Sequence, residues 1–172
     1  MELKHAVQLV SHPFISQPTP SIWADLGAGA GLFTKALASK LAPGSMIYAV
    51  DKSVKLSNTQ KDSQVKIENI KADFTSEKMN IVNLDGILMA NSLHYVPNKK
   101  EVLTSLQSLF RNEGCFLIIE YDMSTANAWV PYPIAFQALQ VLFSHLGYQS
   151  IEKIHVHPSK YQRANIYSAV VK

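Results

Sequence analysis

The stretch Asp25-Leu26-Gly27-Ala28-Gly29-Ala30-Gly31 decides the fold of this chain. An apolar run at 22–24 leads into it, and apolar residues at helical spacing over 32–41 lead out of it. A strand that runs through a glycine-rich turn into a helix brings its backbone close to a nucleotide, because glycine adopts positive φ and has no Cβ. The dinucleotide fingerprint Gly-x-Gly-x-x-Gly fails in both registers, since Leu32 and Thr34 stand where its third glycine is required.

Strand and helix patterns alternate along the rest of the sequence. Strands are predicted at 22–26, 46–50, 65–70, 85–90, 115–120, 150–156 and 165–171. Helices are predicted at 3–10, 32–41, 54–61 and 133–146, with a further helix opening at 97–101, whereas 75–82 has no clear pattern. The alternation predicts an α/β fold with helices on both faces of a parallel sheet, and the short last link predicts an antiparallel hairpin. Residues 1–172 are expected to form a single domain, in which 1–21 are an N-terminal helix and a turn-rich link.

Composition and charge favour a compact cytoplasmic protein. Of 172 residues, 47% are hydrophobic and 17% are charged, which suits one domain with a sizeable core. The net charge is +3, and no run of Lys and Arg exceeds two residues, which argues against a nucleic-acid surface. No apolar run reaches the ~18 residues of a membrane span, and the apolar stretch near Met1 is too short for a signal peptide. The single cysteine, Cys115, excludes an internal disulfide and is expected to be an inert core residue.

The glycine heptad resembles motif I of the class I S-adenosylmethionine-dependent methyltransferases. Further stretches resemble other motifs of that family and occur in the family's order. They are the acidic ribose-binding position at 48–51, the adenine-binding turn at 71–74, motif IV at 88–96 and the fifth strand at 114–120. The resemblance implies a Rossmann-like sheet of seven strands, mostly parallel with one antiparallel strand. It also implies S-adenosylmethionine as the cofactor.

The resemblance further implies which residues contact the cofactor, since ligands of open parallel sheets bind at the carboxyl ends of the strands. Asp25 is expected to meet the amino group of the cofactor, and Asp51 to accept hydrogen bonds from the ribose diol. Asp73 is expected to accept a hydrogen bond from the adenine amine, with the Phe74 ring beside it. The whole expected set is Asp25, Gly27, Ala28, Gly29, Gly31, Asp51, Lys52, Asp73, Phe74, Asn91 and Ser92.

The segment after the fourth strand, 91–95, lies where the resemblance places the rim of the active site. Methyltransferases that modify amino groups of bases carry Asn/Asp-Pro-Pro-aromatic there. Here Ser92-Leu93 replaces the prolines, which argues against a nucleic-acid acceptor. His94 is a candidate proton acceptor, because an unperturbed imidazole has a pKa of about 6.5. The expected catalytic residues are His94 and Tyr121, and the expected substrate contacts are His94, Tyr95, Tyr121, Trp129 and Tyr132.

Each of these assignments has a simpler alternative. In that alternative, Asp25 is a solvated residue of the turn that starts a helix, and Asp51 is the N-cap of the next helix. Asp73 and Phe74 would similarly belong to a loop without a binding role, in which Phe74 is a core aromatic residue. In the same way, His94 packs beneath the cofactor without a proton role, and 129–133 is a hydrophobic clasp onto the core.

Two further patterns are expected to carry no chemistry. His155 and His157 place two imidazoles on one face of a strand, but no third ligand follows by spacing, so no metal site is predicted. Tyr-x-x-x-Lys occurs at 48–52 and 95–99, as in short-chain dehydrogenases, where a helix must bring both residues to one face. The first match lies in a predicted strand and Pro97 interrupts the second.

The predicted function is transfer of a methyl group from S-adenosylmethionine to a small-molecule acceptor by in-line displacement. Such a reaction needs alignment and exclusion of water rather than a catalytic triad, and alignment contributes up to about 7–11 kcal/mol. One alternative is a non-catalytic S-adenosylmethionine-binding module or partner subunit, because few residues precede the first strand and insertions are almost absent. The other is a nicotinamide oxidoreductase, which the glycine spacing disfavours.

Overall fold

A twisted sheet of seven strands forms the centre of the computed structural model, which describes residues 1–53, 64–77, 79–159 and 164–172. The strands are β1 (Ile22–Leu26), β2 (Met46–Asp51), β3 (Lys66–Lys71), β4 (Leu84–Ala90), β5 (Phe110–Tyr121), β6 (Ile151–Pro158) and β7 (Asn165–Val171). Their order is β3-β2-β1-β4-β5-β7-β6. Only β7 runs antiparallel to its neighbours, so the expected α/β fold with one antiparallel strand is confirmed.

Helices cover both faces of the sheet, as the alternation predicts. They are α1 (Leu3–Leu9), α2 (Leu32–Ala38), α3 (Lys99–Gln107) and α4 (Phe136–His145). Residues of α1 and α2 pack into one hydrophobic cluster, and residues of α3 and α4 pack into a second cluster. Successive strand residues alternate between the two: Leu117 joins the α1–α2 cluster, while Phe116 and Ile118 join the other.

Two elements begin elsewhere than predicted, for reasons that involve distant parts of the chain. β5 begins at Phe110 rather than near 115, because Phe110 pairs with Leu84 across an irregularity in the register with β4. α4 begins at Phe136 rather than near 133, where the Asp122 carboxylate accepts a hydrogen bond from the Phe136 N–H at 2.9 Å. The predicted helix at 54–61 lies outside the described residues. The described part of 75–82 contains no helix or strand.

Cys115 is buried in the first cluster, and burial raises the pKa of its thiol to about 12. The predicted core position of Cys115 is therefore confirmed, and the raised pKa disfavours the thiolate, which is the reactive form.

The strand order reverses between β1 and β4, because the chain extends from β1 through β2 on one side and from β4 through β5 on the other. Ligands of open α/β sheets bind at such a point, outside the carboxyl ends of the strands. Leu26, Asp51, Ala90 and Tyr121 end their strands at this edge. The topology therefore brings together the segments that the sequence singles out.

Gly86→Ala tests the close packing of β4 on β1. Gly86 is the register partner of Trp23, and a Cβ added there would lie 2.5 Å from Cη2 and Cζ3 of the buried indole. Because overpacking a filled core forces backbone shifts, we expect the free energy of unfolding to fall by about 1–3 kcal/mol in chemical denaturation. Trp23→Phe should recover part of that loss in the double variant. A Gly86→Ala protein as stable as the wild type would contradict this packing.

Candidate functional site

The turn between β1 and α2 holds three glycines in the left-handed region, which residues with a Cβ rarely adopt. Their φ angles are +83° at Gly27, +54° at Gly29 and +79° at Gly31. The N–H groups of Gly27 and Ala28 donate to the Val50 carbonyl at 2.8 and 3.0 Å. A Cβ at Gly27 would lie 2.5 Å from that of Ser92, whereas beyond its chain neighbours nothing lies within 4 Å of such a position at Gly29. Gly27 is therefore needed for packing, and Gly29 borders open space.

Asp51, at the end of β2, holds this turn in place. Its Oδ2 accepts a hydrogen bond from the Gly29 N–H at 2.8 Å. Its Oδ1 accepts from the N–H and the hydroxyl of Ser53 at 2.8 and 3.1 Å, as a turn-capping residue would.

Asp25, at the end of β1, is buried, with 1% of its surface exposed. Its Oδ2 accepts a hydrogen bond from the Thr34 hydroxyl of α2 at 2.6 Å, while its buried Oδ1 has no hydrogen-bond partner. Desolvation raises the pKa of Asp25 to about 7, against the lowering effect of the Thr34 bond and with a small addition from the charge of Asp51. The alternative of a solvated Asp25 is therefore wrong.

The turn after β3 is tied to the end of β2. Lys52 Nζ lies 2.9 Å from Asp73 Oδ2, and Asp73 Oδ1 accepts from the N–H and hydroxyl of Thr75 at 3.0 and 2.6 Å. Desolvation raises the pKa of Asp73, but the Thr75 hydrogen bonds and Lys52 outweigh this and lower it to about 2. Phe74 packs against the α3–α4 cluster, and the Ser92 hydroxyl donates to the last carbonyl of β1 at 2.6 Å. The described residues expected to contact the cofactor thus converge on one edge.

His94 forms a buried pair with Glu120. Its Nδ1 lies 2.6 Å from Glu120 Oε2, and its backbone N–H donates to Oε1 at 3.1 Å. Both side chains are buried, at 3% and 1% exposure. The centroid of the His94 ring also lies 4.3 Å from the ring centroid of Tyr95 and 6.0 Å from that of Tyr121. Glu120 was assigned no role from the sequence, although an acidic residue directly after the apolar run 115–119 is the kind of signal that marks a buried partner.

A cavity of about 430 Å³ lies beside the turn, between α1, the start of α2 and the ends of β4 and β6. Asn91 and Tyr121 line it, together with Glu2, His5 and His157. Asn91 adopts a positive φ of +53°, and its Oδ1 is buried without a hydrogen-bond partner. Such strain and an unsatisfied polar atom are more often found at binding sites than elsewhere.

Of the residues expected to contact the substrate, Tyr121 lines this cavity, whereas His94, Tyr95, Trp129 and Tyr132 do not. Tyr95, Trp129 and Tyr132 are exposed, Trp129 at 74%. The loop that carries them is nevertheless fixed to the core, because Val130 is buried and the Tyr132 N–H donates to the His94 carbonyl at 3.0 Å. The clasp interpretation therefore holds for the backbone of this loop and for Val130, while the Trp129 ring faces solvent.

Metal-binding clusters and membrane-spanning helices were sought among the described residues. No group of three or more His, Cys, Asp or Glu side chains that could hold a metal occurs in the described ranges. Within those ranges, no helix is long and apolar enough to cross a membrane. His155 Nε2 lies 2.9 Å from the carbonyl oxygen of Ser11. This contact joins β6 to the segment after α1 and gives the His155 imidazole a structural role.

Residues 24–116, more than half of the chain, match the family model described as a methyltransferase domain. The chain belongs to this methyltransferase family. The resemblance read from the glycine heptad and the following motifs is thereby confirmed. A search of curated proteins finds no match to the methyltransferase sequence.

Solved structures of other methyltransferases share the fold. A Burkholderia thailandensis 1,6-didemethyltoxoflavin-N1-methyltransferase, holding 1,6-didemethyltoxoflavin and S-adenosylhomocysteine, aligns with a TM-score of 0.71 and 18% identity over 98% of this chain and 76% of that one. An Aquifex aeolicus S-adenosylmethionine-dependent methyltransferase aligns with a TM-score of 0.66 and 14% identity, over 99% of this chain and 98% of that one. The magnesium protoporphyrin IX methyltransferase of Synechocystis PCC 6803, with S-adenosylmethionine bound, aligns with a TM-score of 0.67 and 15% identity, over 98% of this chain and 77% of that one. These bound molecules agree with the cofactor that the sequence predicts.

Asp25→Asn tests the buried carboxyl group of this methyltransferase. Below about pH 7 the folded chain keeps a proton on Asp25 that the unfolded chain releases near its ordinary pKa of 3.8. The folded state binds more protons in this window, so the contribution of Asp25 to the free energy of unfolding falls as the pH rises from about 4 to about 7. In urea denaturation, the wild type should lose roughly 1 kcal/mol per pH unit relative to Asp25→Asn over that window. Parallel curves for the two proteins would contradict the raised pKa.

Proposed function

We propose that this chain binds S-adenosylmethionine at the carboxyl edge of its sheet and transfers the methyl group to a small-molecule acceptor. The observation that carries the proposal is Asp25 Oδ1, a buried carboxylate oxygen without a hydrogen-bond partner directly beneath the glycine turn. Buried polar atoms are nearly always paired, so an orphaned one calls for a donor. The cationic amino group of the cofactor has the required chemistry, since it would pair with the carboxylate in its charged form.

The other cofactor contacts follow from the same edge. The open backbone at Gly29 supports close approach of the nucleoside, because the space above it holds no side chain. Asp51 lies at the end of β2 against the Gly29 N–H, and we propose that a ribose hydroxyl donates to its carboxylate when the cofactor is bound. Asp73 and Phe74 are proposed to flank the adenine, and Asn91 and Ser92 to close the opposite side.

Catalysis in this proposal rests on alignment and on removal of a proton from the acceptor. Bound S-adenosylmethionine supplies a methyl group that its sulfonium charge has already activated. Glu120 accepts the Nδ1–H of His94, which leaves the lone pair on Nε2 and stabilises the imidazolium that forms when His94 takes a proton. Tyr121 lines the cavity, whereas His94 does not, and the centroids of their rings lie 6.0 Å apart. Tyr121 is therefore proposed to contact the acceptor, either to orient it or to take its proton. Glu120 is a positioning residue, because it acts through His94.

The size of the cavity supports a small acceptor. At about 430 Å³, it lies within the range of sites for small molecules, and its walls mix apolar and polar side chains. The exposed rings of Tyr95, Trp129 and Tyr132 lie outside it. We propose that they contact parts of the acceptor that project beyond the cavity.

The function is tested by incubating the protein with methyl-labelled S-adenosylmethionine and a cell extract that contains small molecules, protein and nucleic acid. We expect label in the small-molecule fraction and S-adenosylhomocysteine in matching amount. Label in protein or nucleic acid alone would contradict the proposed acceptor class. Binding of S-adenosylhomocysteine without any transfer would instead favour the non-catalytic module.

His94→Gln and Glu120→Gln test the proton path once an acceptor is identified. Both variants should bind S-adenosylhomocysteine nearly as well as the wild type but turn over about 10²-fold more slowly. Glu120→Asp keeps a carboxylate and should recover part of the rate lost in Glu120→Gln. The control His145→Gln replaces an exposed imidazole on α4 and should not change the rate. Wild-type turnover in a folded Glu120→Gln protein would limit Glu120 to a structural role.

A further inference from the structure

Lys99, the first residue of α3, turns its side chain back onto the segment that carries His94. Its Nζ donates hydrogen bonds to two carbonyl oxygens, that of Val96 at 2.9 Å and that of Tyr132 at 2.7 Å. The same nitrogen lies 5.7 Å from the centroid of the Tyr132 ring. Val96 follows His94 closely, whereas Tyr132 lies 33 residues beyond Lys99 along the chain. One side chain therefore joins two segments that are distant in sequence.

The peptide groups of Tyr132 are bonded to the His94 segment on both sides. The Tyr132 N–H donates to the His94 carbonyl at 3.0 Å, and the Tyr132 carbonyl accepts from Lys99. Earlier in the same loop, the Trp129 N–H donates to the side chain of Asn127 at 2.9 Å. We call residues 127–132 the aromatic loop. Lys99 thus completes a series of contacts that fixes the aromatic loop against His94.

The position of Lys99 is unfavourable for a lysine whose only role is packing. The N-terminus of a helix carries partial positive charge, which disfavours a cation in the first turn. Desolvation lowers the pKa of Lys99, against a raising effect of the Glu120 charge. A lysine with a fixed side chain also loses rotamer freedom that a solvated lysine keeps. The hydrogen bonds to the two carbonyls offset these costs, and their result is an ordered aromatic loop.

The local alternatives account for only part of this arrangement. The bond to Val96 alone would be a cap on the turn before α3, because the two residues are three positions apart. The bond to Tyr132 spans two loops and has no such local explanation. Lys99 also ends the second Tyr-x-x-x-Lys match, but Tyr95 lies in the 3₁₀ turn Leu93–Tyr95 and not on α3. The two residues therefore do not share one helical face.

The segments that Lys99 joins carry three exposed aromatic rings. Tyr95 lies on the His94 segment, and Trp129 and Tyr132 lie on the aromatic loop. Aromatic side chains provide a large contact area at a low cost in conformational entropy, provided that the backbone beneath them is already ordered. Because Lys99 orders that backbone, it prepares the surface that the proposed function assigns to projecting parts of the acceptor.

We propose that Lys99 is a positioning residue that holds the aromatic loop in register with His94 and thereby sets the affinity for the acceptor. It acts through Tyr132 and does not touch the reacting atoms. The inference rests on the proposed function, because it assumes that the exposed rings contact the acceptor. His94 keeps its contacts with Glu120 when Lys99 is replaced, so acceptor binding should suffer more than the chemical step.

Amide hydrogen exchange, followed by NMR, tests whether Lys99 orders the loop and needs neither cofactor nor acceptor. In Lys99→Met, which keeps an apolar side chain but has no donor, the Tyr132 N–H should exchange at least about tenfold faster than in the wild type. The N–H of Ile118, buried within β5, should keep its rate and so report an intact fold. Lys99→Arg retains charge and donors and should restore protection of Tyr132. Lys100→Met, an exposed neighbour on α3, is the matched control and should change neither rate.

Kinetics with methyl-labelled S-adenosylmethionine test the link to the acceptor. The varied substrate is the small-molecule fraction of the cell extract, in serial dilution. Lys99→Met should need about tenfold more of this fraction for half-maximal rate, while its maximal rate stays within about threefold of the wild type. Its affinity for S-adenosylhomocysteine should not change, and Lys99→Arg should recover most of the loss. A merely structural role would instead lower the amount of folded protein and hence the maximal rate.

The proposal is overturned if the Tyr132 N–H exchanges at the wild-type rate in Lys99→Met. It is also overturned if exchange becomes faster while the half-saturating amount of the small-molecule fraction stays the same. A wild-type protein that transfers no methyl group contradicts the proposed function, whereas the exchange rates decide separately whether Lys99 orders the loop. The two failures are thus distinguishable.

Discussion

The hydrogen bond from the Gly29 N–H to Asp51 Oδ2, at 2.8 Å, fixes the glycine turn on which the rest of the site depends. At the same end of β2, the Val50 carbonyl accepts hydrogen bonds from two more N–H groups of the turn, those of Gly27 and Ala28. These bonds hold three successive loop amides against β2 and stabilise the left-handed glycines between β1 and α2. The direction of α2 follows from that turn, and α2 in turn carries Thr34 to Asp25. A single strand end thus organises the side chains on both sides of the turn.

The two sides of the site use buried polar groups in different ways. Beneath the turn, Asp25 has one bonded and one orphaned oxygen, so desolvation dominates and its pKa is raised. At the ends of β4 and β5, Glu120 contacts His94 through both oxygens, which holds the imidazole in one orientation. An incompletely paired group suits ligand binding, whereas a paired one suits a fixed catalytic geometry. The methyltransferase fold supplies both at one edge of the sheet.

Local patterns in the sequence are sufficient to predict most of the fold. The alternation of strands and helices, the turn glycines and the final hairpin all depend on residues close together along the chain, and the structure confirms them. The late start of α4 and the long β5 depend on partners far along the chain, Asp122 and Leu84, which spacing does not reveal. The partnership of His94 with Glu120 and that of Lys99 with Tyr132 have the same origin. Long-range pairing, rather than weak local signals, is what sequence reasoning missed.

The central claim is that the glycine turn binds the nucleoside of S-adenosylmethionine, and calorimetric titration with S-adenosylhomocysteine tests it most directly. The wild type should bind one molecule per chain, and Gly29→Ala should bind at least about tenfold more weakly, because a Cβ then occupies the open space at the turn. Gly147→Ala is the matched control: its φ of +94° and its open surroundings impose similar backbone strain at the end of α4, away from the turn. The account predicts unchanged affinity for that control. Equal affinity of Gly29→Ala and wild type, or no binding by the wild type, would contradict the claim.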